Sequence, residues 1–174
     1  MTPGEDRRRA VGARISAIRK QRGLSLSGLA REARIGKGSL SELEGGQRNP
    51  TLDTLYAIAG PLGVPLSALL GEESGVEGAG PHLAARVLHV EHHDDGSVTE
   101  VFWLRVSPGG TRESPAHGPG VVEHVHVVSG HLRAGRAGEE RAAGPGESLH
   151  WLSDVPHTYR SDDGALAVLT IRTP

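Results

Sequence analysis

The chain has 174 residues, of which 36% are hydrophobic and 23% are charged, a composition typical of a globular protein with one or two domains. It contains no cysteine, which excludes disulfides and thiolate metal sites. No apolar run approaches the roughly 20 residues that span a bilayer, and the first residues lack the apolar segment of a signal peptide. We therefore expect a cytoplasmic protein without a membrane partner.

Charge is unevenly distributed along the chain. Residues 1–70 carry 11 Lys and Arg against 6 Asp and Glu, whereas residues 71–174 carry 8 against 15. All ten histidines lie in the second part. A positive first part suits a polyanion such as DNA, and an acidic second part would be repelled by one. This asymmetry predicts that the two parts have different functions.

Residues 1–70 are predicted to form a train of short amphipathic helices. Val11, Ile15 and Ile18 are spaced four and three apart, so they form one apolar stripe, and Gly23 suits the end of that first helix. Candidate N-caps precede the second, third and fourth helices: Ser25, Gly36 and Thr51.

Two glycines are predicted to end the third helix, and a proline is predicted to interrupt the fourth. Gly45 and Gly46 follow the third helix. Gly60 and Pro61 come within the fourth pattern, and proline lacks the amide donor that a helix interior needs. A fifth short helix is expected around residues 66–70, which would close a domain of residues 1–70.

Residues 71–81 are predicted to be a flexible linker, because they are rich in glycine and nearly free of large apolar side chains. Beyond them, in residues 82–174, the hydrophobic period changes to two, and turns rich in glycine and proline separate short strand-like segments. This pattern favours a β-barrel or sandwich. The strand-like segments are residues 86–90, 98–106, 123–128, 148–152 and 165–171.

The first part resembles the Cro/C1-type (XRE-type) helix-turn-helix family over roughly residues 8–70. The resemblance rests on Arg-Gly-Leu-Ser before the second helix, Leu-Ser-Glu-Leu-Glu-Gly-Gly in the third, and Arg-Asn-Pro-Thr-Leu-Asp-Thr-Leu after it. It implies that the third helix lies in the major groove of an operator. It also implies that Glu44 is a partly buried acid paired with Arg19.

The resemblance places several residues at the DNA interface. Lys37 can reach guanine acceptors or phosphate, and Glu42 can accept from cytosine. Backbone donors near Ser25 can hold a phosphate, and residues after the third helix would contact the DNA backbone. An alternative for Ser39 and Glu42 is simple exposure. The full set of expected DNA-binding residues is Ser25, Lys37, Gly38, Ser39, Ser41, Glu42, Arg48 and Asn49.

The second part resembles the cupin superfamily over roughly residues 82–172. One motif runs from His117 through Glu123 to Gly130, and the other runs from Gly146 to Ser153-Asp154-Val-Pro-His157-Thr-Tyr159. The second motif has the form found in cupins fused behind helix-turn-helix domains. The resemblance implies an α+β two-domain protein, with a five-helix lambda-repressor-like bundle followed by a cupin β-barrel (jelly roll).

Cupin metal centres offer three histidines and one glutamate. By the resemblance, His117, Glu123 and His157 occupy ligand positions, whereas Pro119 replaces one histidine. Two imidazoles and one carboxylate can still hold a divalent metal such as Fe, Zn, Ni or Mn with open positions. The alternative is a pocket in which the same groups bind an organic effector. Trp151 and Tyr159 are expected at its wall.

The sequence His124-Val-His126 is a second possible ligand pair. If Glu123 points into the barrel, alternation places Val125 inside and both of these histidines outside. We favour that register, because the spacing to Gly130 fits the motif. The remaining histidines are expected on the surface, at edges or, for residues 92 and 93, in a polar hairpin.

Three functions follow from this combination. The first is a homodimeric transcriptional regulator that binds double-stranded DNA, with a barrel that senses a small-molecule effector. The second is a cupin-type non-haem iron oxygenase or epoxidase that carries a helix-turn-helix domain. In the third, the barrel serves only for oligomerisation. We adopt the first as our interpretation, and with it the expectation that the chain has no catalytic residues.

Overall fold

The computed structural model describes residues 3–71, 77–80 and 82–174, apart from some side chains at 3, 4, 7, 52, 53 and 77–79. The chain divides into two compact units, Met1–Gly71 and Glu72–Pro174. None of the helices in the described residues is long and apolar enough to cross a membrane.

The first unit consists of five helices around one apolar core. Its largest fully buried side chains come from all five helices and include Ile15, Leu29, Leu40, Leu55 and Leu69. The helices are α1 (Pro3–Gln21), α2 (Leu26–Glu32), α3 (Lys37–Glu44), α4 (Leu52–Leu62) and α5 (Leu66–Leu70). The structure therefore confirms the five-helix prediction.

The predicted helix ends are confirmed at most positions. The hydroxyl of Ser25 accepts from the amide of Gly28 at 3.0 Å, and that of Thr51 accepts from the amide of Thr54 at 3.2 Å. Gly36 is the N-cap of α3 without a side-chain bond, and Gly23 has the positive φ expected after a helix. These caps satisfy amides that a helix leaves without an intrahelical partner.

The prediction that Pro61 interrupts the fourth helix is wrong. Helix α4 continues through Pro61 to Leu62 and ends at Gly63, which has a left-handed backbone. Proline fixes a φ value that a helix accepts, and Pro61 lies in the last turn, where its missing amide costs only one bond. The amides of Gly63 and Val64 bond back to Gly60 and Ala59 and complete the end of the helix.

Close packing of α1 against α3 depends on a glycine that sequence analysis did not single out. A Cβ on Gly12 would lie 2.2 Å from the carbonyl oxygen of Leu43, a distance that no side chain tolerates. Gly12 therefore lets the backbone of α1 approach the end of α3 directly.

The second unit contains two antiparallel sheets. One has six strands in the order β1-β2-β3-β10-β5-β8, and the other has four in the order β4-β9-β6-β7. The strands are β1 (Glu77–Gly80), β2 (Leu83–His92), β3 (Val98–Val106), β4 (Gly110–Ser114), β5 (Val122–Gly130), β6 (Leu132–Arg136), β7 (Arg141–Ala143), β8 (Ser148–Leu152), β9 (His157–Ser161) and β10 (Ala165–Thr173).

Side chains alternate between a buried face and an exposed face along most of these strands. The buried faces carry Phe102, Val125, Leu132 and Leu169, which are almost fully buried. This is the architecture predicted from the period of two. Strand β5 ends at Gly130, where a Cβ would lie 1.9 Å from the carbonyl oxygen of Gly164. That close approach explains why the cupin motif ends in glycine.

The predicted linker, residues 71–81, is only partly described. Residues 72–76 and 81 lie outside the described part of the chain, whereas Glu77–Gly80 form β1 and pair with β2. The expectation of a flexible segment is therefore wrong for these four residues. Glycine-rich sequence lacks side chains to pack, but its backbone can still complete the edge of a sheet when the neighbouring strand offers partners.

Candidate DNA interface and barrel site

The expected DNA-binding residues lie on and around α3. The side chains of Lys37, Ser41 and Glu42 are exposed, as is the backbone of Gly38, whereas Ser39 is half-buried. Ser25 is exposed at the start of α2, and its hydroxyl oxygen caps that helix by accepting from the amide of Gly28.

Three of these residues line one groove between α3 and α4. Ser39, Arg48 and Asn49 border it together with Gly36 and Thr51, and its volume is about 240 Å³. Arg48 and Asn49 are exposed, so both side chains are accessible beside the groove. Lys37, Ser41 and Glu42 do not line it and form a separate part of the surface of α3.

An additional exposed cation lies next to α3. Arg34 occupies the turn between α2 and α3 with a φ of 55°, a conformation that non-glycine residues rarely adopt. The turn places its side chain in solvent near the start of α3. Sequence analysis gave Arg34 no role, because its conformation is set by how α2 and α3 pack.

The ion pair between Arg19 and Glu44 holds α1 to the end of α3. Arg19 Nε donates to Glu44 Oε1 at 2.6 Å, and Arg19 Nη2 donates to Glu44 Oε2 at 2.8 Å. The side chains are only 11% and 10% exposed. Burial alone would raise the pKa of Glu44, but the hydrogen bonds from Arg19 and Ser16, together with the charges of Arg19 and Lys20, outweigh it and lower that pKa below its usual value. The predicted pairing is confirmed.

Three side chains of the barrel converge on its interior. His117 Nε2 lies 2.7 Å from Glu123 Oε1, and His157 Nε2 lies 3.1 Å from the same oxygen. The three candidate ligand atoms all lie within 4.8 Å of one another. Glu123 and His157 are at most 1% exposed. The structure thus brings together all three residues that the cupin resemblance placed at ligand positions.

Strand alternation directs Glu123 into this cluster. Along β5, Glu123 and Val125 are buried, whereas His124 and His126 are exposed. The register predicted from the spacing to Gly130 is therefore confirmed, and His124-Val-His126 is not part of the interior site. The exposed side chains of His82, His89, His131 and His150 also lie outside it, as predicted. The residues around His92 and His93 form the hairpin turn between β2 and β3.

The loop that carries His117 is fixed by the segment after β8. The amide of His117 donates to the carbonyl of Ser153 at 2.8 Å, and the amide of Ser153 donates to the carbonyl of Val121 at 2.9 Å. The Ser153 side chain is fully buried and donates to the same carbonyl of Val121 at 3.2 Å. Pro119, which replaces the further cupin histidine, is exposed and offers no ligand atom.

The motif from Ser153 to Tyr159 supports the cluster at several points. Asp154 accepts from Arg136 Nη2 at 2.8 Å. His157 Nδ1 lies 3.2 Å from the carbonyl of Val155, which fixes Nδ1 as the protonated nitrogen when the ring is neutral and directs Nε2 toward Glu123. The hydroxyl of Tyr159 donates to Glu123 Oε2. Sequence analysis had placed Tyr159 only at the pocket wall.

The charges of the cluster depend on one another. Burial alone would raise the pKa of Glu123, but the neighbouring His157 and His117 outweigh it and hold that pKa well below its usual range. Burial alone would lower the pKa of His157, but the Glu123 carboxylate outweighs it and raises that pKa. The site therefore contains a buried carboxylate that needs a cationic partner.

The donor set fits a divalent metal ion. Two imidazole nitrogens and one carboxylate oxygen are the ligands of a facial triad. Glu123 Oε1 and His157 Nε2 are buried and make no well-directed hydrogen bond within the described residues, although they lie 3.1 Å apart. The bond between His157 Nδ1 and a backbone carbonyl is the outer contact that metal-bound histidines use.

Trp151 lies beside the cluster, as expected for a wall residue. It is opposite Glu123 in the pairing of β5 with β8 and is 8% exposed. Its ring centroid is 6.0 Å from that of His157 and 5.7 Å from that of Tyr159. The rings of these three residues therefore lie close to one another beside Glu123.

Comparison with known proteins agrees with this two-part organisation. A helix-turn-helix family model matches residues 15–69, and a cupin domain model matches residues 102–172. The HTH-type transcriptional regulator SutR of Escherichia coli (strain K12) is 32% identical over 160 residues, which cover 90% of each chain. The immunity repressor protein of Bacillus phage phi105 is 47% identical over 64 residues, 37% of this chain and 44% of the repressor.

A solved structure also resembles the whole chain. The crystal structure of an HTH_3 family transcriptional regulator from Vibrio cholerae superposes with a TM-score of 0.85 at 25% identity, and the match covers 98% of this chain and 99% of that one. Both units and their order along the sequence are therefore shared with known regulators. The chain belongs to the XRE-type helix-turn-helix transcriptional regulators that carry a cupin domain.

Proposed function

We propose that this regulator senses an effector through its cupin barrel and binds a two-fold DNA operator as a homodimer. The observation that carries the sensing role is the convergence of His117, Glu123 and His157 in the barrel. A regulator has no need of such a cluster for DNA binding alone, and buried ionisable groups with perturbed pKa values concentrate at functional sites.

The same three residues would hold a divalent metal ion through His117 Nε2, His157 Nε2 and Glu123 Oε1. Three protein ligands leave coordination positions open, at which a small molecule could bind as effector. The protein's own contribution is the orientation of the ligands: Ser153 fixes the His117 loop, Val155 orients His157, and Tyr159 orients Glu123.

We propose that the barrel acts as a sensor and not as an enzyme. The similarity to SutR over 90% of both chains supports this choice, since that relative is a transcriptional regulator. A ligand can change DNA affinity only if its affinity for the DNA-binding conformation of the protein differs from its affinity for the other conformations. The functional quantity is therefore the change in DNA affinity on effector binding.

At the DNA interface, we propose that α3 enters the major groove. Lys37, Ser39, Ser41 and Glu42 would lie at or near base edges, with Gly38 allowing close approach. Arg48, Asn49 and the start of α2 at Ser25 would contact the DNA backbone. The exposure of all of these residues except the half-buried Ser39 supports the assignment, as does the groove that Ser39 shares with Arg48 and Asn49. One recognition helix per chain contacts only a few base pairs, which favours a dimer that binds two half-sites.

The experiment measures metal binding and DNA affinity in the same preparation. The full chain, stripped with chelator, is titrated with Fe(II), Zn(II), Ni(II) or Mn(II), and its affinity for a duplex selected from random sequences is measured by fluorescence anisotropy. We expect about one ion per chain and a DNA affinity that changes as the ion binds. His157→Ala should abolish that response and leave metal-free DNA binding nearly unchanged.

His89→Ala is the matched control, because His89 is an exposed histidine on β2 outside the cluster. It should respond to the ion as the wild type does. An ion that shifts the DNA affinity of His157→Ala as strongly as that of the wild type would refute the proposed site. Substrate turnover by the iron-loaded protein, with a DNA affinity that ignores iron, would favour the oxygenase interpretation instead.

A further inference from the structure

A second cavity lies between the two sheets, where β8 passes the strands β6 and β7. Its volume is about 390 Å³, and its lining includes Arg136, Glu139, Arg141, His150 and Trp151. It is distinct from the three-residue cluster, because none of His117, Glu123 and His157 lines it. Trp151 belongs to both regions.

Two buried N–H groups of this lining have no hydrogen-bond partner among the described residues. They are the indole Nε1 of Trp151 and the Nε of Arg136. Trp151 is more than nine-tenths buried, so water does not reach its indole readily. Leaving a buried donor without a hydrogen-bond partner destabilises the folded state. Both groups are donors only, so the missing partner is a hydrogen-bond acceptor.

The charges of the lining favour an acceptor that is negatively charged. Arg136 Nη2 donates to Asp154 at 2.8 Å, and Arg141 Nη2 donates to the carbonyl of His150 at 3.1 Å. The side chains of Arg136 and Asp154 are each 35% exposed, and the lining itself carries two arginines, Arg136 and Arg141, against one acid, Glu139. Both donors belong to residues that line the cavity, and a guanidinium group forms strong, charge-assisted hydrogen bonds with oxyanions.

We propose that this cavity binds a small oxyanion, a carboxylate, sulfate or phosphate group, through Arg136 and Trp151. Its effect on the regulator rests on the sensing role proposed above, because the indole of Trp151 packs beside His157 and Tyr159. An anion that fixes the position of the indole would also restrict His157 and Tyr159, which contact Glu123. The indole of Trp151 therefore lies between the proposed anion and the cluster of His117, Glu123 and His157.

Anion binding is tested without DNA or metal, so its result is independent of the sensing experiment. The chain has two tryptophans, and Trp103→Phe leaves Trp151 as the only indole reporter. This variant is titrated with sulfate, phosphate or succinate against chloride at constant ionic strength. We expect a saturable change in indole fluorescence with at least one of the three, and calorimetry on the wild type should give the same affinity.

Arg136→Gln should weaken that binding about tenfold, the loss expected for one charge-assisted hydrogen bond. Arg136→Lys keeps the charge beside Asp154 but removes the Nε donor, and it should weaken binding too. Trp151→Phe, measured by calorimetry, should also bind more weakly. Arg160→Gln is the control for loss of one charge, since Arg160 is exposed and outside this cavity.

The proposal is overturned if none of the three anions gives a saturable change. It is also overturned if folded Arg136→Gln and Arg136→Lys bind as tightly as Arg160→Gln. Thermal melts of each variant establish that the protein is folded.

Discussion

Glu123 is the residue around which the barrel site is organised. Three side chains from different parts of the chain meet its carboxylate: His117 from a loop, and His157 and Tyr159 from β9. A buried carboxylate is costly unless it is paired and hydrogen-bonded. Each partner is therefore expected to affect both the stability of the barrel and its ligand affinity.

Replacing Tyr159 by Phe tests the outer contact of the site. The change removes only the hydroxyl that donates to Glu123 Oε2 and leaves the three proposed metal ligands in place. We expect the affinity for the ion identified by the metal titrations to fall by about 10- to 100-fold, as happens when an outer-shell partner is lost. Calorimetric titration measures it. Equal affinities in Tyr159→Phe and the wild type would show that the hydroxyl does not support a metal site.

Arg19 and Glu44 form the corresponding buried pair of the helical unit. Glu44→Ala should destabilise this unit by an amount at the lower end of the roughly 3–5 kcal/mol typical of breaking a buried pair, because both side chains keep some exposure to water. Urea melts of the full chain followed by the helical circular dichroism signal measure the effect, since the described helices all lie in the first unit. An unchanged midpoint would contradict it.

The same pair makes the helical unit sensitive to acid. The pKa of Glu44 is lowered in the folded state. Its contribution to the free energy of unfolding is therefore complete at pH values above the unfolded-state pKa near 4.5, and it is lost as the pH falls through the folded-state pKa. The stability difference between the wild type and Glu44→Gln should therefore shrink below about pH 4.5. A difference that stays constant down to pH 3 would exclude this linkage.

At the scale of elements, the proposal gives α3 and the segment that follows it two different kinds of DNA contact. Its exposed face carries Lys37, Ser41 and Glu42, whereas Arg48 and Asn49 follow it beside the start of α4. A side chain that reaches base edges discriminates between sequences, whereas a phosphate contact positions the protein without reading sequence. Substitutions at the two places are therefore expected to have different signatures.

Lys37→Ala should relax the preference for particular base pairs, at a cost of about 1–3 kcal/mol on the preferred duplex. Arg48→Ala should weaken binding to all duplexes alike and reduce the slope of log affinity against log salt by about one. Anisotropy titrations on the selected duplex and its single-base variants separate the two results. Equal losses on every sequence from both variants would contradict a base-reading role for Lys37.

At the scale of the whole molecule, the two units differ in charge, and our proposal gives them different functions. The helical unit carries the excess of positive charge, and the barrel unit carries the acidic excess and all ten histidines. DNA affinity should therefore come from the first unit and decline with salt, because cationic side chains release counterions from the phosphates. We expect the barrel unit to add no attraction for DNA, because its net charge is negative.

We expect a dimer to protect two half-sites about one helical turn apart on a two-fold operator. The physical reason is that one short helix reads too few base pairs to select a site in a genome. Footprinting of the full chain, together with binding measured from low to moderate salt, checks both statements. A single asymmetric protected region would contradict the dimer, and an affinity independent of salt would contradict the electrostatic contribution.

The hydrophobic pattern of the sequence was sufficient to predict most of the helices and strands. Hydrophobic spacing of three and four, followed by alternation, is a local property, so it predicted five helices and then strands such as β3 and β8. The alternation also predicted which face of β5 is buried, because a shift of the register by one residue would expose Glu123 and bury His124. The family motifs placed His117, Glu123 and His157 at ligand positions, and these three residues lie close together in the structure.

Tertiary structure decided what depends on residues far apart in sequence. Local patterns did not reveal that β1 forms from glycine-rich sequence, since its partner β2 supplies the hydrogen bonds. The contact of Gly12 with Leu43 and the hydroxyl of Tyr159 on Glu123 likewise arise from packing. Arg136 and Trp151 line one cavity only because β6 lies near β8 in the folded barrel. Sequence periodicity specifies which way a side chain faces, but only the assembled sheets specify what it faces.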